Sequence, residues 1–472
     1  MTTSRRAHPI LLALVVGLLV AACGTRLSDD RILAANGGPA SDDDGSSTAG
    51  SGASEGPESD GGAGVTIPDA AAGTTTGGPV EGGTGGSATT VAGSTGGSQG
   101  SQCTAQLAPI RVGQTGIFSG FLAPSTAGAR TGLSVWAQEA NARGGVQCHP
   151  IQLYQLDDAS DPARATSNLR ELIDDRKVVA VVGIQATITM SAVRGVVDPK
   201  EFPVVGGDLL ADDWNEDPNL YPQGGTSFAS LAGSPRDIAQ ATGAKTWGLI
   251  YCVEVNVCTG IHERAQQLAT AAGVNFVFDQ PTTLTQTDFT AECQNAKNKG
   301  VDNLFVAADG SALIRVARSC ASIGYRPKFG AAGIATTQTM GQDPNVRSAT
   351  VTLGTSTAPF PATDTPGAQA FNAAMKRYAP GQPLSQAAMD AYASGKLFEA
   401  ALAQVAAARS GPVTTAMVKE GLGKIRGETL DGLSPPITFT AGKPAPRINC
   451  YFVIRLTDSG FTAPNGSKPQ CF

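Results

Sequence analysis

The chain has 472 residues and a formal net charge of -6, from 34 Lys and Arg against 40 Asp and Glu, with no basic cluster. That balance excludes the electropositive footprint that nucleic-acid binding requires. Nine cysteines, an odd number, and 58 glycines are spread unevenly, so the chain has to be read region by region.

The first residues are "MTTSRRAHPILLALVVGLLVAAC". Arg5 and Arg6 form a short positive region, Ile10 to Leu19 is apolar throughout, and Val20, Ala21 and Ala22 lead to Cys23. This is the order of an export signal. The apolar run is too short for a bilayer, which takes about 20 residues. The stretch "LLVAACGT" resembles a bacterial lipobox, which implies a leader at 1–22 and acylation of Cys23. Two or more acyl chains hold a protein stably to a membrane, whereas one binds marginally. The resemblance therefore places the protein outside the cytoplasm, anchored to the outer face of the cell membrane. The arginine pair leaves both the Sec and the twin-arginine routes open. Setting Cys23 aside leaves eight cysteines in a compartment where disulfides persist.

Residues 23–102 read as a tether. From Ala35 to Gln102 the composition collapses to Gly, Ser, Thr, Ala and Asp. Such a segment cannot offset its ordering entropy and is expected to be disordered. Its root-mean-square span would be on the order of 50 Å. Its Ser and Thr content suits glycosylation. The GxGxxG-like strings here carry no phosphate-loop meaning, because no strand precedes them and no helix follows.

From Cys103 the pattern changes to alternating strands and helices. "PIRVGQTG" reads as a strand, and "TGLSVWAQEANARGG" as a helix burying Leu133, Trp136, Ala137 and Ala140. "IQLYQLDD" is a second strand, followed by a helix with Pro162 near its start and Leu169, Leu172 and Ile173 inward. "VVAVVG", apolar on both faces, is a buried parallel strand, and "FPVVGGD" a fourth. The cycle restarts with "TWGLIYC", "NFVFD", "NLFVAAD" and "KFGAAG", each separated by a helical stretch. The rhythm predicts α/β architecture, with parallel sheets covered by helices on both faces. Roughly 370 residues suit two lobes rather than one core.

These residues carry a family resemblance. "VGQTGIFSG", "EANARGGV", "YQLDDASDPARA", "VVGIQATITMSAV", "GVDNLFVA", "LDGLSPPITFT" and "YFVIRLTDSGF" occur in order across nearly all of 110–461. Together they resemble the type I periplasmic solute-binding proteins of ABC importers, in the branched-chain amino acid group and its lipid-anchored members. The resemblance implies two Rossmann-like, doubly wound lobes joined by a three-strand hinge. The first would be 103–223 plus 356–442, and the second 224–355 plus 443–472. It implies capture of a small polar ligand (amino acid, amide or small carboxylate), an ABC permease and ATPase as partners, no nucleic acid, and a monomer. A receptor-like lipoprotein signalling to a membrane partner is the alternative. No cofactor or metal is implied, and no enzyme activity: the body contains no GxSxG elbow, HExxH or P-loop. His149 and His262 read as surface histidines.

The family binds ligand in the loops after the strands of both lobes. By that resemblance Phe118 and Ser119 follow the first strand. Gln185, Ala186 and Thr187 open the helix after the third, where free N–H groups and the Thr187 hydroxyl would suit a carboxylate. Gly207 and Asp208 follow the fourth. Glu254 and Asp309 come from the second lobe. Each also fits a helix cap or turn. One departure stands out: "FGAAGIATTQTM" has no acid where amino-acid-binding members usually hold the ammonium group, leaving Asp309 or Asp208 as substitutes. Eight cysteines allow 105 pairings. The inferred fold narrows these to Cys103 with Cys148, Cys252 with Cys258, Cys293 with Cys320, and Cys450 with Cys471.

Overall fold

A computed structural model describes Cys103 and residues 106–472. The leader, Cys23 and the tether fall outside the described residues. The body contains two sheets. The first runs in the order β2-β1-β3-β4-β5, all parallel, from β1 (Ile110–Gly116), β2 (Ile151–Asp157), β3 (Ala180–Ile184), β4 (Val204–Gly207) and β5 (Leu220–Tyr221). The second repeats that order. Its strands β6 (Thr246–Cys252), β7 (Asn275–Thr282), β8 (Asn303–Ala307), β9 (Lys328–Ala332) and β10 (Val351–Thr355) lie as β7-β6-β8-β9-β10, again parallel. Three antiparallel strands then finish the second sheet: β11 (Cys450–Thr457) beside β10, with β12 (Gly460–Thr462) and β13 (Gln470–Cys471) on β11.

Burial explains the strand composition. β3, β8 and β10 are buried at every position, as parallel strands covered on both faces must be. Gly206 in β4 has φ +68, and an added Cβ would lie 2.2 Å from Ser394 Oγ, so only glycine suits this crossing of strand and helix.

Six helices cover the first sheet. They are α1 (Gly128–Ala142), α2 (Pro162–Arg170), α3 (Met190–Val197) and, from later in the chain, α9 (Pro366–Tyr378), α10 (Gln386–Ala403) and α11 (Thr415–Leu422). The second sheet packs with α4 (Ser227–Thr242), α5 (Asn256–Glu263), α6 (Ala265–Ala272), α7 (Thr290–Asn298) and α8 (Gly310–Ser322). α10 is the central helix of the first half. Its Gly395 lies against the Trp136 ring of α1, Phe398 meets that ring edge-on at 6.1 Å, and Glu399 accepts from Trp136 Nε1 at 2.7 Å. α2 starts where the sequence places it: the Asp161 carboxylate accepts from Ala163 N–H at 2.8 Å and Pro162 occupies the first turn.

The chain passes between the halves three times, after β5, after β10 and before β11. The crossings run side by side. Gly225 N–H donates to Ser356 O and Thr226 N–H to Ile448 O, both at 2.9 Å. A Cβ on Gly225 would meet Cys450 O at 1.9 Å, so the close approach depends on glycine. Three hydrogen-bonded crossings, none of them a β-strand, stand where a three-strand hinge is expected.

All four expected cysteine pairs are bridged, Cys103–Cys148, Cys252–Cys258, Cys293–Cys320 and Cys450–Cys471. One of the stretches that carry the resemblance forms no ladder, and one expectation changes. "LDGLSPPITFT" forms a 3-10 turn at Leu430–Gly432 and one isolated bridge between Glu428 and Ile437, because Pro435 and Pro436 supply no N–H to a ladder. His149 is not a surface residue. It is fully buried, with its ring nitrogens 2.5 Å from Ala108 O and 3.0 Å from Ala408 O.

Candidate functional site

In parallel α/β sheets ligands sit beyond the carboxyl ends of the strands. Here those ends from both sheets face one cleft. Its empty volume, open mouth included, is about 630 Å³. Leu122, Ser125, Thr187 and Leu210 come from the first half. Val255, Val257, Ile261, Leu284, Phe305 and Ile334 come from the second, together with the Cys252–Cys258 bridge and Asp309. The wall is hydrocarbon over most of its area, and it holds no Lys, Arg or His.

Of the residues singled out by sequence, only Thr187 and Asp309 line this cleft. The Phe118 and Ser119 N–H groups donate to the Asp157 carboxylate at 2.9 and 3.2 Å. Hydrogen bonds from Ser119, Ala159 and Phe118 outweigh partial burial and hold the Asp157 carboxyl below its usual range. Gln185 is fully buried at the end of β3, away from the cleft. Gly207 N–H donates to Gln223 Oε1 at 3.0 Å. Glu254 is exposed and accepts from Leu284 N–H at 2.9 Å. Asp309 caps α8, accepting from Ala312 N–H at 2.8 Å.

The turn after β3 holds the decisive geometry. Gln185, Ala186 and Thr187 do not open a helix; α3 begins at Met190. Ala186 N–H and the Thr187 hydroxyl nevertheless converge on one oxygen, as a ligand carboxylate would require. That oxygen is Asp208 Oδ2, 2.9 Å from each donor. Asp208 Oδ1 accepts from Leu210 N–H at 3.3 Å. The backbone carrying Asp208 turns through Leu209 at φ +53, a left-handed conformation that a leucine rarely adopts. Burial pushes the Asp208 carboxyl up, opposed by the hydrogen bonds from Thr187, Leu210 and Ala186. No cation pairs with it among the described residues.

Behind the cleft, nearer the hinge, lies a small chamber lined by Asp208, Ser230, Ser356, Gln386 and Asp390. Leu210 and Ile334 line both spaces and separate them. Burial raises the Asp390 carboxyl to about 7, and the nearby Asp208 charge adds to that. Asp390 accepts from Thr357 Oγ1 at 2.5 Å and from Gln386 Nε2 at 2.9 Å. Thr357 belongs to the second crossing, so this carboxyl reaches the hinge.

Sequence reasoning missed the apolar wall. Its signal was present in "FLAPST", "VEVNVC" and "GIAT", where strand-end loops carry leucine, valine and isoleucine. It also missed Ser125, a buried residue that lines the cleft and whose Oγ has no hydrogen-bond partner among the described residues.

The family model described as periplasmic binding protein matches residues 109–461. The chain belongs to the periplasmic binding protein family. Among solved structures, a fatty acid ABC transporter substrate-binding protein from Thermomonospora curvata superposes with a TM-score of 0.64 at 19% identity, covering 77% of this chain and 92% of that one. A branched chain amino acid ABC transporter from Thermus thermophilus with bound valine gives 0.66 at 14% identity, covering 78% and 97%. At these identities the likeness is one of fold. An amino acid binding protein of Pseudomonas aeruginosa is 35% identical over 80 residues, 17% of this chain and 21% of that relative, so the match spans about a fifth of the relative's length. As a periplasmic binding protein, the chain has its cleft where two doubly wound lobes meet.

Proposed function

We propose that this protein is the substrate-binding component of an ABC importer, held to the outer face of the membrane by lipid on Cys23. Its first lobe is taken as 103–223 plus 356–442 and its second as 224–355 plus 443–472, and they close on a ligand with a hydrocarbon body. The observation that carries this reading is the cleft wall: Leu122 and Leu210 face Val255, Ile261, Phe305 and Ile334. Burying apolar ligand surface there is worth roughly 25 cal/mol per Å². Hinge closure would complete the enclosure, and affinity would report preference for the closed state. The sequence suggested a small polar ligand; the wall favours an apolar one. Among the compared proteins, one is named for fatty acids and another holds valine. The hydrocarbon wall fits the more apolar of those two ligand bodies, while Asp208 takes the donors that a carboxylate on either ligand would use. Ser125 lines the cleft and its Oγ is unpartnered, so a ligand's single polar group could supply its hydrogen bond.

A thermal-shift titration of the full chain with octan-1-ol, octanoate and valine tests the reading. A ligand at a hundred times its dissociation constant stabilises by about 2.7 kcal/mol. A shift with a hydrocarbon probe and none with valine supports it; a shift with valine alone overturns it. For the anchor, Cys23→Ala should move the protein from the membrane fraction to the soluble one. Retention of that variant in the membrane would refute lipidation at Cys23.

A further inference from the structure

We infer that Asp208 is a specificity-determining residue that acts as a built-in occupant of the cleft's anion subsite, so that the end of the ligand facing the first lobe is uncharged. The inference rests on the proposed capture of a hydrocarbon ligand and names the charge class of that ligand.

Two donors in the turn after β3 are arranged to hold one anionic oxygen. Ala186 N–H and Thr187 O–H both lie 2.9 Å from Asp208 Oδ2. A hydroxyl and a backbone amide converging on one point is how a carboxylate is bound with short, charge-assisted hydrogen bonds. Thr187 lines the cleft, and Asp208 lies directly behind it with only 6% of its surface exposed. The acid that fills the subsite therefore belongs to the protein.

An incoming carboxylate would meet this arrangement with nothing in its favour. Both donors are already engaged. The cleft lining contains no Lys, Arg or His to neutralise a second negative charge. Asp309, across the cleft, is itself acidic and already caps α8. Two carboxylates in a water-poor site repel strongly. An alcohol, ketone or amide carries no such penalty, and it can use the unpartnered Ser125 Oγ. The same hydrogen bonds, from Ala186, Thr187 and Leu210, offset part of the cost of burying the Asp208 carboxyl without a cation.

The test compares ligands that differ only in charge, octan-1-ol and octanoate, by calorimetric titration at pH 7.5. The wild-type protein should bind octan-1-ol at least tenfold more tightly than octanoate. Asp208→Ala empties the subsite and frees both donors, so octanoate should gain at least tenfold while octan-1-ol changes less than threefold. Asp208→Asn keeps an acceptor oxygen on both donors, so its gain for octanoate should be clearly smaller. Equal wild-type affinity for the two probes overturns the inference and needs no variant. So does an Asp208→Ala protein with an unchanged ratio. If neither probe binds the wild type or the variant, the hydrocarbon-cleft reading falls, and this inference falls with it. Probes that bind without regard to charge remove this inference alone.

Discussion

The two walls of the cleft use the same fold differently. Both are built from the carboxyl ends of parallel strands in the same order. The strand-end polar groups around and behind the first-lobe wall satisfy one another: Asp157 with Phe118 and Ser119, and Asp208 with Ala186, Thr187 and Leu210. The second-lobe wall is hydrocarbon, tied by the Cys252–Cys258 bridge. A polar residue at a strand end is thus no guide to ligand chemistry until its partners are known. Here the first-lobe polar groups are turned to one another, and hydrocarbon from both lobes faces the ligand.

The disulfides give the largest test of that contrast. Cys103–Cys148 closes 45 residues in the first lobe and Cys252–Cys258 only 6 in the second. Chain entropy makes these worth about 4 and about 2 kcal/mol respectively. Replacing Cys103 and Cys148 together by serine should lower stability by that larger amount in urea unfolding, with ligand affinity unchanged. Replacing Cys252 and Cys258 should cost less stability but weaken binding, because that bridge forms part of the cleft. Equal effects on binding would erase the distinction between the walls.

Asp390 offers the next effect, through pH. Its carboxyl is raised in the folded protein to about 7 by burial, above the ordinary unfolded value of 3.8. The native state therefore holds a proton that the unfolded state has lost between pH 4 and 7. Stability is full below pH 4 and falls as pH rises to about 7. Asp390→Asn mimics the protonated form and should flatten that slope, gaining on the order of 2–4 kcal/mol at pH 8 and nothing near pH 4. Melting curves of both proteins across pH 4 to 8 measure this, and parallel curves would contradict it.

A charge placed on the hydrocarbon wall tests the other side. Ile334→Asp adds an unpaired carboxylate to a surface with no cation. Binding of octan-1-ol should weaken at least a hundredfold. A comparable loss from Glu254→Gln, whose carboxylate lies outside the cleft on Leu284 N–H, would mean that the wall is misplaced.

Much of the fold was legible because its signals are local. Buried strands such as "VVAVVG" and caps such as Asp161 with Pro162 depend on neighbours in sequence. The Cys103–Cys148 pair followed once the strand order was inferred, since the starts of β1 and β2 lie side by side, and the other three from a short loop, successive helices and the closing segment. The site was less legible for a physical reason. Sequence places Ala186, Thr187 and Asp208 at strand ends but cannot show that the third satisfies the first two. Nor does composition distinguish a leucine that lines a cleft, such as Leu210, from one that fills a core, such as Leu209. His149 misled for the same reason: its burial depends on Ala408, 259 residues away.

The smallest effect falls on a cleft-lining hydroxyl that the protein leaves unsatisfied. Ser125 is 6% exposed, and its Oγ has no partner among the described residues. A buried hydroxyl without a hydrogen bond costs stability, so its retention at a cleft wall points to a partner that arrives with the ligand. Ser125→Ala removes that cost in the free protein and the hydrogen bond in the complex. Unfolding stability without ligand should therefore hold or rise slightly, while affinity for octan-1-ol should fall by roughly threefold to tenfold, about 0.5–1.5 kcal/mol. Octane, with no polar group, should bind both proteins equally. If Ser125→Ala lowers stability without ligand and leaves the alcohol's affinity unchanged, the hydroxyl serves the fold rather than the ligand.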